Sequence, residues 1–196
     1  MNLPFAESAE QNKTVILQAI RPYLQGKVLE IASGTGQHAV YCAAEMPELI
    51  WQTSDLEPNL AGVRAWIEDS GLRNLPPPLL LDVTGSWPQL EFDTVYTANS
   101  FHIMDSTAVS SCIAASAACL RVGGNLIVYG PFNYGGRFTS PSNERFDAML
   151  KTNDPGSGIK NFEWLDELAR SAGMNLQCDI EMPANNRCLI WKKRTI

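Results

Sequence analysis

The stretch Val28-Leu29-Glu30-Ile31-Ala32-Ser33-Gly34-Thr35-Gly36-Gln37-His38 decides the fold. An apolar strand pattern carrying one acidic residue runs straight into a Gly-x-Gly turn, and a helical pattern follows. Gly34 and Gly36 lack a Cβ, so the backbone there can turn sharply and approach a ligand closely. The helix beyond points free N–H groups at the same spot, which favours electron-rich ligand groups. The next strand-like run, Leu49–Ser54, is closed by Asp55, nineteen residues after Gly36. In an open α/β sheet this carboxylate stands at the tip of the neighbouring strand, in reach of a ribose diol.

The combination reads as a nucleoside-cofactor site. Gly34-Thr35-Gly36-Gln37-His38-Ala39 also fits the relaxed dinucleotide pattern G-x-G-x-x-A. A nicotinamide or flavin enzyme is therefore an alternative, and so is a plain strand-turn-helix with no ligand. Glu30 separates the first two. A pyrophosphate beside the glycines favours an uncharged strand, whereas the ammonium and sulfonium of S-adenosylmethionine suit an acidic residue there.

Working outward, 196 residues form one domain with room for a lid. Hydrophobic content of 45% with 18% charged residues is ordinary for a soluble globular chain. A net charge of −6 disfavours nucleic-acid phosphates as partners. Cys42, Cys112, Cys119, Cys178 and Cys188 show no Cys-x-x-Cys spacing, which argues against a disulfide framework or a zinc site. No metal-ligand cluster is apparent. Neither a signal peptide nor an apolar run of membrane-spanning length is visible, so the expected address is a reducing cytoplasm, away from membranes.

Ser8-Ala9-Glu10-Gln11 matches a capping box, with Ser8 as N-cap and Gln11 at N3. Ile16, Ile20, Tyr23 and Leu24 share one helical face, and Pro22 should kink or end that helix. Strands are expected at Lys27–Ala32, Leu49–Ser54, Leu79–Leu81, Phe92–Ala98 and Asn125–Tyr129. Helices at about 38–46, 59–70 and 107–120 alternate with them. Gly130–Lys160 reads as a long excursion with helical pattern only at Asn143–Leu150. A helix at Phe162–Ala172 precedes two strands, Leu176–Glu181 and Arg187–Lys192, joined by Pro183–Asn186. The pattern predicts an α/β, Rossmann-like, doubly wound and mostly parallel seven-stranded sheet with an antiparallel C-terminal strand. Right-handed crossovers then bring Ala32–Gly36, Asp55, Asp82 and Asn99 to one crevice.

These residues resemble the class I S-adenosylmethionine-dependent methyltransferases over almost the whole chain. Glu30-Ile31-Ala32-Ser33-Gly34-Thr35-Gly36 is similar to the family's first motif, E/D-x-G-x-G-x-G, with Ala32 in place of the first glycine. Within that superfamily the chain resembles a small branch catalogued as a domain of unknown function. The resemblance runs through Ala9–Lys13, Leu29–His38, Ala98–Ile103, Tyr129–Phe132, Ser140–Asp147 and Pro183–Asn186. It implies that Glu30, Ala32, Gly34 and Gly36 hold the methionine part, with His38 packed beside the glycines. Asp55 and the adjacent Leu56 would meet the ribose, Asp82 and Val83 the adenine edge, and Asn99 would close the pocket. S-adenosylhomocysteine would be the product.

Methyl transfer from a sulfonium needs position and a dry site, and a base only when the nucleophile must lose a proton. His102, four residues past Ala98, is the candidate base, and Tyr129 is a second candidate catalytic group. Asn133, Tyr134 and Arg137 leave the fifth strand at the same edge, and Gly135-Gly136 would let a lid move. Asn143 is a candidate helix cap. Asn185 and Asn186 form a turn that can face the crevice, and Asn12 can fold over the cofactor. Asn12, His102, Asn133, Tyr134, Arg137, Asn185 and Asn186 are thus the candidate substrate contacts, within a lid over residues 1–25 and an inserted lid or substrate loop over residues 131–160. The expected activity is methyl transfer to a small-molecule acceptor. The alternatives are a non-catalytic S-adenosylmethionine or S-adenosylhomocysteine-binding module and a nicotinamide-dinucleotide oxidoreductase.

Overall fold

Strand–helix alternation builds one seven-stranded sheet in the computed structural model, which describes residues 3–195. The elements in chain order are α1 (Glu7–Ile20), a 3-10 turn (Arg21–Tyr23), β1 (Lys27–Ile31), α2 (Gln37–Glu45), β2 (Ile50–Asp55) and α3 (Glu57–Ser70). They continue with β3 (Leu79–Leu80), β4 (Phe92–Ala98), α4 (Ser106–Cys119), β5 (Leu120–Gly130), β6 (Phe132–Asn133) and α5 (Pro141–Asn153). The chain then forms β7 (Lys160–Asn161), α6 (Phe162–Ser171), β8 (Met174–Met182), a second 3-10 turn (Pro183–Asn185) and β9 (Asn186–Lys193).

The strand order is β3-β2-β1-β4-β5-β9-β8. The first five strands run parallel, and β9 lies antiparallel between β5 and β8. This is the expected mostly parallel sheet with a reversed final strand. Because strand side chains alternate between faces, the sheet builds two cores. Leu29, Ile31, Leu126, Val128, Leu189 and Trp191 face α4 and α6, meeting Val109, Ile113, Leu165 and Ala169. Val28, Ile127, Cys188 and Ile190 face the other way, onto Ile16, Leu17 and Ile20 of α1 and Ala39, Cys42 and Ala43 of α2. The helical contact residues recur at three- and four-residue spacing, the period of one helical face.

Several local expectations are corrected. Ser8 does not cap α1: the helix begins at Glu7 after Ala6, and Ala6 supplies no side-chain cap. Instead the Ala6 N–H donates to Gln37 Oε1 at 2.7 Å, a tertiary substitute for the capping box. The α1 helix stops at Ile20, one residue before the 3-10 turn that holds Pro22. Asp105, not predicted as a cap, accepts the Ala108 N–H at 2.7 Å and opens α4. The α4 helix ends at Cys119 with no connecting loop, because Leu120 passes directly into an eleven-residue β5 that contains Gly123 and Gly124. The excursion is more ordered than its composition suggests. Ser140 caps a longer α5 through the Asn143 N–H, so Asn143 lies inside the helix and is not its cap. Gly135 and Gly136, at φ 57° and 70°, form a tight reversal closed by reciprocal Tyr134–Arg137 backbone bonds rather than a hinge. Of the segment 1–25, Ile16, Leu17 and Ile20 are core, so among its described residues only those before this buried face can act as a cover. Among the described residues no helix is long and apolar enough to cross a membrane.

Candidate cofactor cavity at the strand tips

The parallel strands end at one edge, where a cavity of about 490 Å³ opens. Its wall takes Glu30–Thr35 and His38 from the first strand-turn-helix, Asp55, Leu56 and Asn59 from the second, and Leu81–Val83 after β3. Ala98, Asn99, Ser100, Ile103 and Met104 close it after β4.

The turn after β1 is held from the side. The Gly34 N–H donates to Asp55 Oδ2 at 2.6 Å, the Ser33 N–H to the Ser54 carbonyl at 3.0 Å, and the Gly36 N–H to the Ser33 carbonyl at 2.9 Å. Ala32, Gly34 and Gly36 all have positive φ, at 55°, 60° and 92°. Glycine adopts this conformation without strain, whereas alanine is disfavoured in it by ~1–2 kcal/mol. Ala32 therefore carries strain that the glycine of the family motif would not. Asn99 is the other non-glycine at positive φ in the cavity, at 57°, and its N–H donates to the Tyr129 carbonyl at 2.9 Å.

Glu30 is 3% exposed yet borders the cavity. Its Oε2 accepts from Trp51 Nε1 at 3.1 Å and from Ser33 Oγ at 3.0 Å. Burial pushes this carboxyl up to about 7, against those two hydrogen bonds and with a small push from the Asp55 charge. An acid poised there ionises readily when a cation comes to rest beside it.

Asp55 is buried and already engaged. Beyond Gly34, its Oδ1 accepts the Leu56 N–H at 2.7 Å and Asn59 Nδ2 at 2.8 Å. Its first task is to tie the glycine turn to β2 and α3, leaving its remaining lone pairs for a diol. Asp82 is exposed; its Oδ1 accepts from the Thr84 N–H and hydroxyl at 2.9 and 2.7 Å, which hold its carboxyl below the usual range.

Of the predicted cofactor set, Glu30, Ala32, Gly34, His38, Asp55, Leu56, Asp82, Val83 and Asn99 line the cavity, and Gly36 does not. A Cβ on Gly36 would lie 3.2 Å from Trp66 Cβ and 3.4 Å from Val63 Cα, so this glycine serves the packing of α3 on the turn. His38 is neutral, with burial holding its imidazole down to about 4. Its Nε2 meets Asn12 Oδ1 at 2.8 Å and its Nδ1 the Tyr96 hydroxyl at 2.9 Å. With the Asn12 oxygen as acceptor, Nε2 carries the proton and Nδ1 accepts from Tyr96.

The predicted substrate contacts stand elsewhere. After β4 the Ile103 and Met104 N–H groups both donate to the Ser100 carbonyl, a helical turn that aims Ser100, Ile103 and Met104 at the cavity. Phe101 and His102 point away. The His102 ring packs edge-on to Phe146 at 5.2 Å, its carbonyl accepts the Gly158 N–H, and burial, then the Lys160 charge, lowers it to about 4. Tyr134 donates its hydroxyl to Asp179 Oδ2 at 2.8 Å and stacks on Phe162. Arg137 is exposed. Asn133 is buried, its Nδ2 3.5 Å from the Ile159 carbonyl. The Asn185 carbonyl accepts from Asn143 Nδ2 at 3.2 Å, and Asn186 donates to the Pro183 carbonyl at 3.2 Å. Tyr129 is buried outside the cavity, and burial raises its hydroxyl above the usual range, against the lowering effect of the Asn12 and Asn186 side chains.

Sequence reasoning missed Asn59, Ser100, Ile103 and Met104, and it named the first residues only as part of a lid, without singling out Ala6, Ser8 and Ala9, which line the cavity. Two signals were present: Asn59 falls one helical turn after Asp55, and Ser100, Ile103 and Met104 have helical spacing. Among the described residues no cluster of His, Cys, Asp and Glu has metal-binding geometry.

The profile of the family described as "Protein of unknown function (DUF938)" matches residues 3–193. Among solved structures, the S-adenosylmethionine-dependent methyltransferase SibL in its apo form matches with a TM-score of 0.82 at 19% identity, over 96% of this chain and 56% of that one. An O-methyltransferase family protein from Burkholderia thailandensis matches with a TM-score of 0.79 at 16% identity, over 96% and 60%. Human N-acetylserotonin methyltransferase in complex with S-adenosylmethionine matches with a TM-score of 0.81 at 17% identity, over 96% and 53%. The chain thus spans little more than half the length of these proteins, and the likeness establishes the class I methyltransferase fold.

Proposed function

We propose that this chain, which belongs to the DUF938 family, binds S-adenosylmethionine in the strand-tip cavity and passes its methyl group to a small-molecule acceptor. The observation that carries this reading is the order of polar groups along one cavity. Glu30 beside the glycine turn suits an ammonium, Asp55 a ribose diol, and Asp82 with Val83 the edge of an adenine. These three groups come from the tips of β1 and β2 and the segment just after β3, spaced along a single nucleoside-sized cavity. The bound cofactor supplies an electrophilic methyl group on sulfur. The protein supplies position: Glu30 for the methionine end, Gly34 and Ala32 for close backbone approach, His38 as a neutral wall, and Leu56, Val83 and Met104 as apolar sides for the base. Buried Glu30 also argues against a dinucleotide, whose pyrophosphate would face it.

One observation favours a second reading. His102, the expected base, faces α5 and not the cavity, so a module that holds S-adenosylmethionine or S-adenosylhomocysteine without turnover fits the same geometry. Calorimetry on ligand-free protein with S-adenosylmethionine, S-adenosylhomocysteine and NADH tests the cofactor assignment. Micromolar binding of the first two and none of NADH is expected; no binding of either overturns it. A labelled-methyl acceptor screen then separates enzyme from binding module.

A further inference from the structure

The roof of the cavity is the start of the described chain: Ala6, Ser8 and Ala9 line it. Four hydrogen bonds fasten this stretch, and every one goes to α2 or α3. Trp66 Nε1 donates to the Pro4 carbonyl at 2.7 Å, and the Ala6 N–H to Gln37 Oε1 at 2.7 Å. Gln37 Nε2 donates to Glu10 Oε2 at 3.1 Å, and His38 meets Asn12 at 2.8 Å. The apolar anchor of α1 begins only at Ile16, with Leu17 and Ile20. The roof is therefore held by polar contacts and runs straight into a buried half-helix.

Gly62 supplies a second and independent observation. It sits inside α3, where alanine is the better helix former, and it does not line the cavity. A Cβ there would fall 2.8 Å from Pro4 Cγ, too close for any contact. The missing side chain is a notch in which Pro4 rests.

We propose that residues 3–13 are a strap that must lift for the cofactor to enter or leave, seated by Pro4 in the Gly62 notch and latched by Gln37. The proposal rests on the cofactor reading above. Small residues face inward because the strap closes over a ligand, and its bonds go to the helices flanking the glycine turn so that occupancy and closure support one another.

The test uses Gly62→Ala, which unseats Pro4 without touching the cavity, and Trp66→Phe, which removes the Pro4 hydrogen bond along with part of the ring while keeping an aromatic side chain beside the glycine turn. Stopped-flow dissociation of S-adenosylhomocysteine should quicken about tenfold in Gly62→Ala and less in Trp66→Phe, with no fall in the unfolding temperature of empty protein. Amide hydrogen exchange of residues 6–13 should quicken in parallel. Dissociation within about twofold of wild type in both variants overturns the gate. Unchanged exchange in Gly62→Ala overturns the seat. If wild-type protein binds no S-adenosylhomocysteine, the cofactor reading fails first, and the gate falls with it whatever the exchange shows.

Discussion

Replacing Glu30 by Gln should make the empty protein more stable and the cofactor complex weaker. Both donors to the carboxylate, Trp51 Nε1 and Ser33 Oγ, meet Oε2. A glutamine oxygen can replace Oε2, with the amide nitrogen turned to the Oε1 side. The carboxyl stands at about 7 against an ordinary 4.5, so ionising it in the empty site costs ~3 kcal/mol. A group whose pKa is raised on folding lends stability that is complete below its unfolded value and is lost as pH climbs through its folded value. Relative to Glu30→Gln, wild-type empty protein should therefore lose up to ~3 kcal/mol between about pH 4.5 and about pH 8, on the order of 6–12 °C in Tm for a chain of this length. Both proteins share the rise in stability with pH that His38 and His102, held down to about 4, contribute, so the Glu30 term shows as the difference, and Glu30→Gln should melt higher than wild type at about pH 8. Cofactor affinity should move the other way. Losing a charge-assisted contact to an ammonium costs ~1.5–3 kcal/mol, or roughly 10- to 100-fold in Kd. The wild-type affinity should also fall as pH drops below about 7, where Glu30 is protonated before binding, and the variant affinity should not. Scanning calorimetry and isothermal titration with S-adenosylmethionine across this range give both signs. A variant that melts lower than wild type at about pH 8, or binds with unchanged affinity, would refute the reasoning.

Three further outcomes follow from the same geometry. Asp55→Asn should weaken cofactor binding at least ~10-fold by calorimetry, because the Gly34 N–H loses an ionic acceptor worth ~1.5–3 kcal/mol; unchanged affinity removes Asp55 from the site. His102→Ala should leave S-adenosylmethionine affinity within about twofold while lowering stability by ~1–3 kcal/mol, since the ring packs on Phe146; a tenfold loss of affinity would place it in the site after all. Ala32→Gly, destabilising at most positions, should instead raise stability by ~0.5–1 kcal/mol, because relief of the left-handed strain exceeds the added chain entropy; chemical denaturation reads the sign.

The sheet was legible because its signals are local and periodic. Glu30 through Gly36, Asp55 and Asp82 mark strand ends, and the crossover rule then brings them together without knowledge of any contact. Less was legible where tertiary partners outweigh local chemistry. The Ser8 capping box lost to a hydrogen bond from Ala6 to Gln37, thirty-one residues away. The direction of His102 depends on the phase of one helical turn after β4, which residue spacing does not fix. Tyr134 looked like an acceptor contact because it leaves β5 at the right edge, yet Asp179, Phe162 and Arg187 engage it from the far side of the sheet. The order of 131–160 was hidden by its turn-rich composition: Asp147 accepts the Ile159 N–H at 2.7 Å, joining α5 to the approach of β7 in a way no periodicity reports.

The position of β9 has a consequence for how the chain reaches this structure. The strand follows β8 in sequence but lies inside it in the sheet, so β8 cannot join until β9 is in place. Pairing β9 with β5 must first close a loop from Gly130 to Arg187, whereas pairing it with β8 starts from Met182 and Asn186, four residues apart. Loop closure favours the short route. The β8–β9 hairpin is therefore the natural kinetic unit, zipping from the turn where Ala184 and Asn185 both stand at positive φ and then docking whole onto β5. A slip of one residue would exchange Leu189 and Trp191 for Cys188 and Ile190 across the two cores. The register shift between Leu176 and Cys178 opposes that slip. Changes in this turn should therefore register first in the folding limb of a chevron, before they are felt in the finished cavity some strands away.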